Sequence, residues 1–121
     1  MEKTIYQRLG AANLQALVDT FYDLVQENEV LSPLFNGDFH EIRKKQFMFL
    51  SQFLGGPQLY SIAFGHPQMK MRHIPHKVTN KGKDEWLKCM KQALSKQDID
   101  EELKEVIYNC FPNVAQHMVN S

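Results

Sequence analysis

The chain has no apolar run approaching the ~20 residues needed to cross a bilayer, no surplus of either charge, and almost no cysteine. Its 14 basic residues equal its 14 acidic ones, so neither nucleic acid nor a membrane is an expected partner, because both would call for a clustered basic excess. The one local surplus, Arg43-Lys44-Lys45, follows Glu41 at helical spacing and reads as a solvated helix face. No basic stretch followed by a hydrophobic one opens the sequence, and a cytoplasmic protein is expected. Cys89 and Cys110 fall on the apolar stripes of different helices, where a reduced thiol behaves as a small hydrophobe, and both are expected to be buried and inert. Neither C-x-x-C nor H-x-x-x-H occurs, so a metal site built from side chains alone lacks its ligand set. No linker, repeat or low-complexity tract divides the 121 residues, which suits one domain over 1–121.

What the chain does have is helical periodicity almost throughout, with no stretch of strict alternation that would mark a half-buried strand. Thr4-Ile5-Tyr6-Gln7 carries a capping-box pattern and opens a short helix that Gly10 can end. A second helix is predicted from about Ala12 to Gln26, with Leu14, Val18, Phe21, Tyr22 and Val25 on one face. Pro33 marks a short turn before Asp38, a plausible cap for a third helix whose stripe is Phe39, Ile42, Gln46, Phe49, Leu50 and Phe53 and which Gly55-Gly56-Pro57 stops. Thr79 or Asn80 can cap a fourth, running to about Leu94 with Trp86, Met90, Ala93 and Leu94 inward. Asp98 or Asp100 caps the last, which presents Leu103, Val106, Ile107, Cys110, Val114 and Met118, with a kink expected near Tyr108 to Phe111 because Pro112 lacks the N–H that Tyr108 would receive. The fold class is all-α. The stretch from Gly55 to Thr79 is too long for a mere connection in a compact domain and is expected to be functional or wrapped round something.

Two anomalies point to a filled pocket. His73 lies in a segment bracketed by Pro67 and Pro75, where a tight loop with at most one or two helical turns is expected and no structural need for an imidazole is evident. His66 and His76 compete with it for any ligand role, whereas His40 and His117 lie on helices without proline or aromatic support. The second anomaly is that Tyr22, Gln46 and Trp86 interrupt apolar stripes on three helices. Each also has an ordinary reading, Tyr22 as a ring that reaches a backbone carbonyl and Trp86 as plain core. Gln46 is the most telling, because burying an unpaired amide costs about 1 to 3 kcal/mol and demands a partner. If the three converge, they can form a mutual network. A single imidazole suffices for a metal only when the remaining ligands come from elsewhere, as porphyrin supplies four nitrogens, which favours haem over a bare ion. With no C-x-x-C-H, such a haem would be held without thioether bonds.

The chain resembles the truncated haemoglobins, specifically their second group. The resemblance rests on Phe21-Tyr22, Phe35, Gln46, Phe49-Leu50, Gln52-Phe53-Leu54-Gly55-Gly56-Pro57, Tyr60, Gly65-His66-Pro67, Met71-Arg72-His73-Ile74-Pro75, Trp86-Leu87, Cys89-Met90 and His117-Met118-Val119-Asn120, and covers nearly the whole sequence. It implies a truncated globin, a two-over-two helical sandwich around haem b (iron protoporphyrin IX). It implies His73 as the proximal iron ligand and Tyr22, Gln46 and Trp86 as distal hydrogen-bonding groups. Phe35, Phe49, Ile74, Val78 and Met90 would be apolar wall, with Arg72, Tyr60 and Lys70 near the propionates. The sequence departs from the pattern at His76, where phenylalanine is usual, at Gly10-Ala11 in place of a glycine pair, at Phe35 where some relatives carry tyrosine, and at Pro112. Ile42 stands where larger globins often place a distal histidine, which leaves that route of access apolar.

The leading expectation is a protein that binds diatomic gases (oxygen, nitric oxide, carbon monoxide) at a five-coordinate iron, with distal donors that slow oxygen release. An enzymatic alternative is nitric oxide dioxygenase or peroxidase-like turnover, which would require an external reductase. A third reading is a helical interaction module without cofactor, which would be colourless. A monomer or weak dimer is expected.

Overall fold

A computed structural model describes residues 3–35, 38–65 and 79–112, among which every regular element is helical. Local chemistry sets the boundaries. Thr4 Oγ1 accepts the Gln7 N–H at 3.1 Å while Gln7 Oε1 accepts the Thr4 N–H at 2.9 Å, a complete capping box that starts α1, Ile5–Leu9. Gly10, at φ 87°, closes α1 and turns directly into α2, Ala11–Glu27. Asn28 then accepts the N–H groups of Val30 and Leu31, leading into one 3₁₀ turn over Ser32–Leu34 with Pro33 inside it. The Asp38 carboxylate caps α3, Phe39–Phe53, by accepting from His40 N at 2.9 Å. Thr79 caps α5, Asn80–Ser95, by accepting from Gly82 N at 3.0 Å. Asp100 occupies the cap position of α6, Glu101–Tyr108, but its side chain makes no capping bond, so the acidic residues there act through Glu101 and Glu102 in the first turn.

The helix α2 is the centre of the packing. Leu14, Leu17, Val18, Phe21, Tyr22 and Val25 are all buried, a band wider than a single stripe, because α3 lies on one side and α5 on the other. The pairs α2/α3 and α5/α6 form the two-over-two sandwich, with α1 bridging α2 and α6. Met90, Ala93 and Leu94 of α5 and Leu103 and Ile107 of α6 complete the core.

Three local expectations change. The stretch after Gly56 holds a further short helix, α4, Leu59–Phe64, fastened to α3 by Gln52, whose Oε1 accepts from Ser61 N at 2.9 Å and whose Nε2 donates to Ser61 Oγ at 2.8 Å. The last helix breaks where a kink was expected: Pro112 offers no N–H, so the Tyr108 carbonyl accepts from Phe111 N at 3.0 Å and α6 ends in a tightened turn. The turn buries Phe111 and leaves Cys110 half-buried, whereas Cys89 is buried as expected. Burial pushes both thiols up, in Cys89 with help from the Glu85 charge, which suits inert cysteines. Val114 and Met118 lie outside the described residues. Finally, Arg43 is not simply solvated. It is one-fifth exposed and bonded to α2, while Lys44 and Lys45 are exposed.

The α3 terminus leaves little space for a larger residue. Tyr6 N donates to Leu54 O at 2.9 Å, drawing α1 onto the glycine pair; a Cβ on Gly55, already at φ 93°, would stand 2.9 Å from Thr4 Cβ, and one on Gly56 would stand 2.5 Å from the Tyr6 ring. Gly56→Ala is therefore expected to cost about 1 to 3 kcal/mol by overpacking. Urea titration should show a lower midpoint at unchanged slope. An unchanged midpoint would mean that the Tyr6 ring yields freely.

Candidate functional site

The site is assembled from aromatic rings contributed by most of the helices. Tyr22, 3% exposed, meets Phe21 edge-on at 4.9 Å between centroids and Phe35 at 5.8 Å, with Phe39 at 6.2 Å. Phe21 carries the contact across to α5, where Trp86 stands 5.0 Å away. From Trp86 the series continues to Phe111 at 5.3 Å, to Phe53 at 5.8 Å and to Phe49, which stacks on Phe53 at 5.8 Å. Tyr60 closes on Phe49 at 5.8 Å, with Phe64 at 5.1 Å beyond it. Edge-to-face and offset contacts of this kind fix ring orientation as well as burying area. The result is a continuous aromatic wall running from the turn before α3, over α2 and α5, back along α3 to α4.

Within the wall the helices divide their side chains unequally. On α3, Leu50 faces the core and is 1% exposed, whereas Phe39, Ile42, Gln46, Phe49 and Phe53 are only half-buried. Phe35 and Trp86 are half-buried as well, and Met90 is wholly enclosed. Thus one row of α3 completes the sandwich while its neighbour remains a partly open apolar surface.

The three polar interruptions lie along this wall. Phe21 touches both Tyr22 and Trp86, and Gln46 sits one turn from Phe49 on the half-open row of α3. No hydrogen bond links the three to one another, and Tyr22 does not reach a backbone carbonyl among the described residues. Their polar ends make no hydrogen bond to any described residue, yet none is sealed off by protein. They are donors left available at an apolar surface. Burial pushes the Tyr22 phenol far above its ordinary value of 10.0, and the Arg43 charge draws it partly back, so the hydroxyl keeps its proton and remains a donor.

That perturbation has a sign that can be tested. Below pH 10 the folded and unfolded chains both hold the Tyr22 proton, and the full stability is present. Above it the unfolded chain releases the proton and the folded chain does not, so stability falls as pH rises toward the elevated folded value. Tyr22→Phe is expected to flatten this alkaline fall in thermal unfolding; an equally steep fall in both proteins would remove Tyr22 as its source.

His73, Arg72, Lys70, Ile74 and Val78 lie outside the described residues, as do His66, His76 and His117. His40 is exposed on α3, and no group of three metal-ligating side chains occurs among the described residues. Sequence reasoning passed over Phe111 and the linking role of Phe21. Phe21 was marked as core by its stripe, but nothing in the stripe says that it joins two donors.

The helical pairing can be set beside known proteins and structures. The family model described as bacterial-like globin matches residues 4–120. A group 2 truncated haemoglobin, YjbI of Bacillus subtilis strain 168, is 42% identical over 95% of this chain and 87% of its own length. Among solved structures, the group II truncated haemoglobin from Bacillus anthracis superposes with TM-score 0.95 at 38% identity, covering 100% of this chain and 94% of that one. The truncated oxygen-avid haemoglobin from Bacillus subtilis superposes at 0.93 with 41% identity, covering 98% and 100%. The chain belongs to the bacterial-like globin family, as a group II truncated haemoglobin.

Proposed function

We propose that this chain holds haem b through His73 and binds a diatomic gas, oxygen above all, under the donors Tyr22, Gln46 and Trp86. The observation that carries the reading is the set of three available donors along a half-open aromatic wall. The residues present fit such a group: a flat apolar ring system suits Phe35 and Phe49, and the family that the chain belongs to implies the same cofactor. When bound, haem supplies an iron with an open position for the gas.

The side chains then divide the work. Phe35, Phe49, Ile74, Val78 and Met90 would form the apolar surround that excludes water. Arg72, Lys70 and Tyr60 would hold the propionates, where a guanidinium can pair with a carboxylate in bidentate fashion. Tyr22, Gln46 and Trp86 donate to a ligand that carries partial negative charge. A hydrogen bond to a charged acceptor is worth about 1.5 to 3 kcal/mol, and every 1.4 kcal/mol is a factor of ten in equilibrium. Two such donors retard release by orders of magnitude, which suits tenacious holding, and the Bacillus subtilis relative is described as oxygen-avid. Stopped-flow release of oxygen from the reduced, haem-loaded chain tests this: slow release is expected, and release unaffected by removing both Tyr22 and Trp86 donors would contradict it.

A further inference from the structure

One contact outside the aromatic wall bears on its geometry. Arg43 of α3 reaches across to α2 and meets four acceptors. Its Nη1 donates to the Asp19 carbonyl at 3.1 Å and lies 3.4 Å from Asp19 Oδ1; its Nη2 donates to Asp23 Oδ1 at 2.7 Å and to Gln26 Oε1 at 2.9 Å. Asp19, Asp23 and Gln26 succeed one another at spacings of four and three, so they form a row on α2, and Tyr22 stands beside that row. On α3, Gln46 follows Arg43 by one turn. The guanidinium therefore ties the turn that bears Tyr22 to the turn that bears Gln46.

We propose that Arg43 is a positioning residue of the gas-binding site, a clamp that fixes the register of α3 on α2 and so the place of the Tyr22 hydroxyl relative to the helix row that bears Gln46. The inference rests on the proposed function. Its physical basis is geometric. Sliding α3 along α2 by one turn is a displacement of about 5.4 Å, which no arrangement of the fork could absorb while keeping both a backbone carbonyl and two carboxylates. A planar guanidinium presents five N–H groups in a fixed fork, whereas a lysine ammonium on its flexible stem can sit between the two carboxylates without fixing their direction. The contact is also chemically selective within its own helix: Lys44 and Lys45, next in the chain, are exposed, and Lys45 lies over the Phe64 ring at 5.3 Å. Because Asp19 and Asp23 are half or more exposed, the ion pairs themselves contribute little to global stability, and the role of Arg43 lies in orientation. The Arg43 charge also acts on the Tyr22 phenol, as expected of a group held close to it.

A double-mutant cycle on the haem-loaded chain tests the clamp. Oxygen release is measured in the parent, in Arg43→Met, in Tyr22→Phe and in the double variant, alongside the C–O stretching band of each carbon monoxide complex. Misplacement of a donor by a fraction of an ångström is expected to speed release in Arg43→Met about ten-fold. In the Tyr22→Phe background the same change is expected to act less than about two-fold, because the group being positioned is gone. The C–O band should broaden or split in Arg43→Met and not in the double variant. Arg43→Lys, which keeps the charge and loses the fork, should behave like Arg43→Met and supplies the same cycle if that variant folds poorly. Equal effects of Arg43→Met in both backgrounds, or full rescue by lysine, would overturn the clamp while leaving the proposed function intact. A parent that takes up no haemin would overturn the proposed function itself, and the clamp with it.

Discussion

His73→Ala is expected to abolish axial ligation, so that added haemin gives only the broad, weak absorption of loosely held porphyrin, while His66→Ala and His76→Ala keep the spectrum of the parent. The argument is one of ligand supply. The sequence holds neither C-x-x-C nor H-x-x-x-H, so an iron held here would take its equatorial ligands from a porphyrin and one axial donor from the chain. Of the five histidines, His40 is exposed on α3, and the other four fall in the segments around Gly65-Thr79 and after Pro112. The resemblance singles out His73 by its setting in Met71-Arg72-His73-Ile74-Pro75. Equal spectra for all three alanine variants would overturn that assignment, and loss of ligation in His66→Ala or His76→Ala alone would transfer it.

Tyr22→Phe and Trp86→Phe are expected each to speed oxygen release by one to two powers of ten. This follows from hydrogen bonds of about 1.5 to 3 kcal/mol to a charged acceptor, at 1.4 kcal/mol per factor of ten. Both substitutions keep the apolar bulk and remove only the donor, so the aromatic wall stays largely filled. Tyr22 is the better defined of the two, since burial keeps its hydroxyl protonated and Phe21, Phe35 and Phe39 hold its ring edge-on. Trp86 is held between Phe21 and Phe111 and is less completely enclosed. Rapid-mixing measurements on the reduced proteins decide the matter. Rates unchanged in both variants would remove these donors from the account, and a change in one alone would identify which of them touches the ligand.

The features that could be read from sequence are those encoded within a few residues. Thr4, Gly10, Asp38 and Thr79 end or begin helices through bonds to neighbours three or four positions away at most, and all four act as their local patterns suggest. Tyr22, Gln46 and Trp86 stand out for a related reason, because a polar tip on an apolar stripe breaks helical periodicity. What escaped depends on distant partners. The helix α4 has no side-chain cap of its own and is tied instead to Gln52 on α3. Arg43 looked like part of a charged surface run because its acceptors lie 17 to 24 residues earlier, on another helix. Phe111 turns inward only because the chain tightens ahead of Pro112, which rotates the stripe so that Phe111 rather than Cys110 is enclosed. A periodicity argument continues a helix past such a break and assigns the wrong face.

The same distinction explains why the three residues stand out in the sequence and their relations to one another do not. Sequence places Tyr22, Gln46 and Trp86 on inward faces, but whether they bond to one another depends on helix crossing and register. In the folded chain their polar ends bond neither to one another nor to any described residue, and Phe21 lies between the Tyr22 and Trp86 rings.

The most direct test of the central claim is a titration of the haem-free chain with haemin, followed by ultraviolet-visible absorption before and after reduction. The account predicts a sharp Soret band that saturates at one haem per chain, with a ferrous spectrum of five-coordinate type that converts on adding carbon monoxide. A featureless titration without saturation would contradict it.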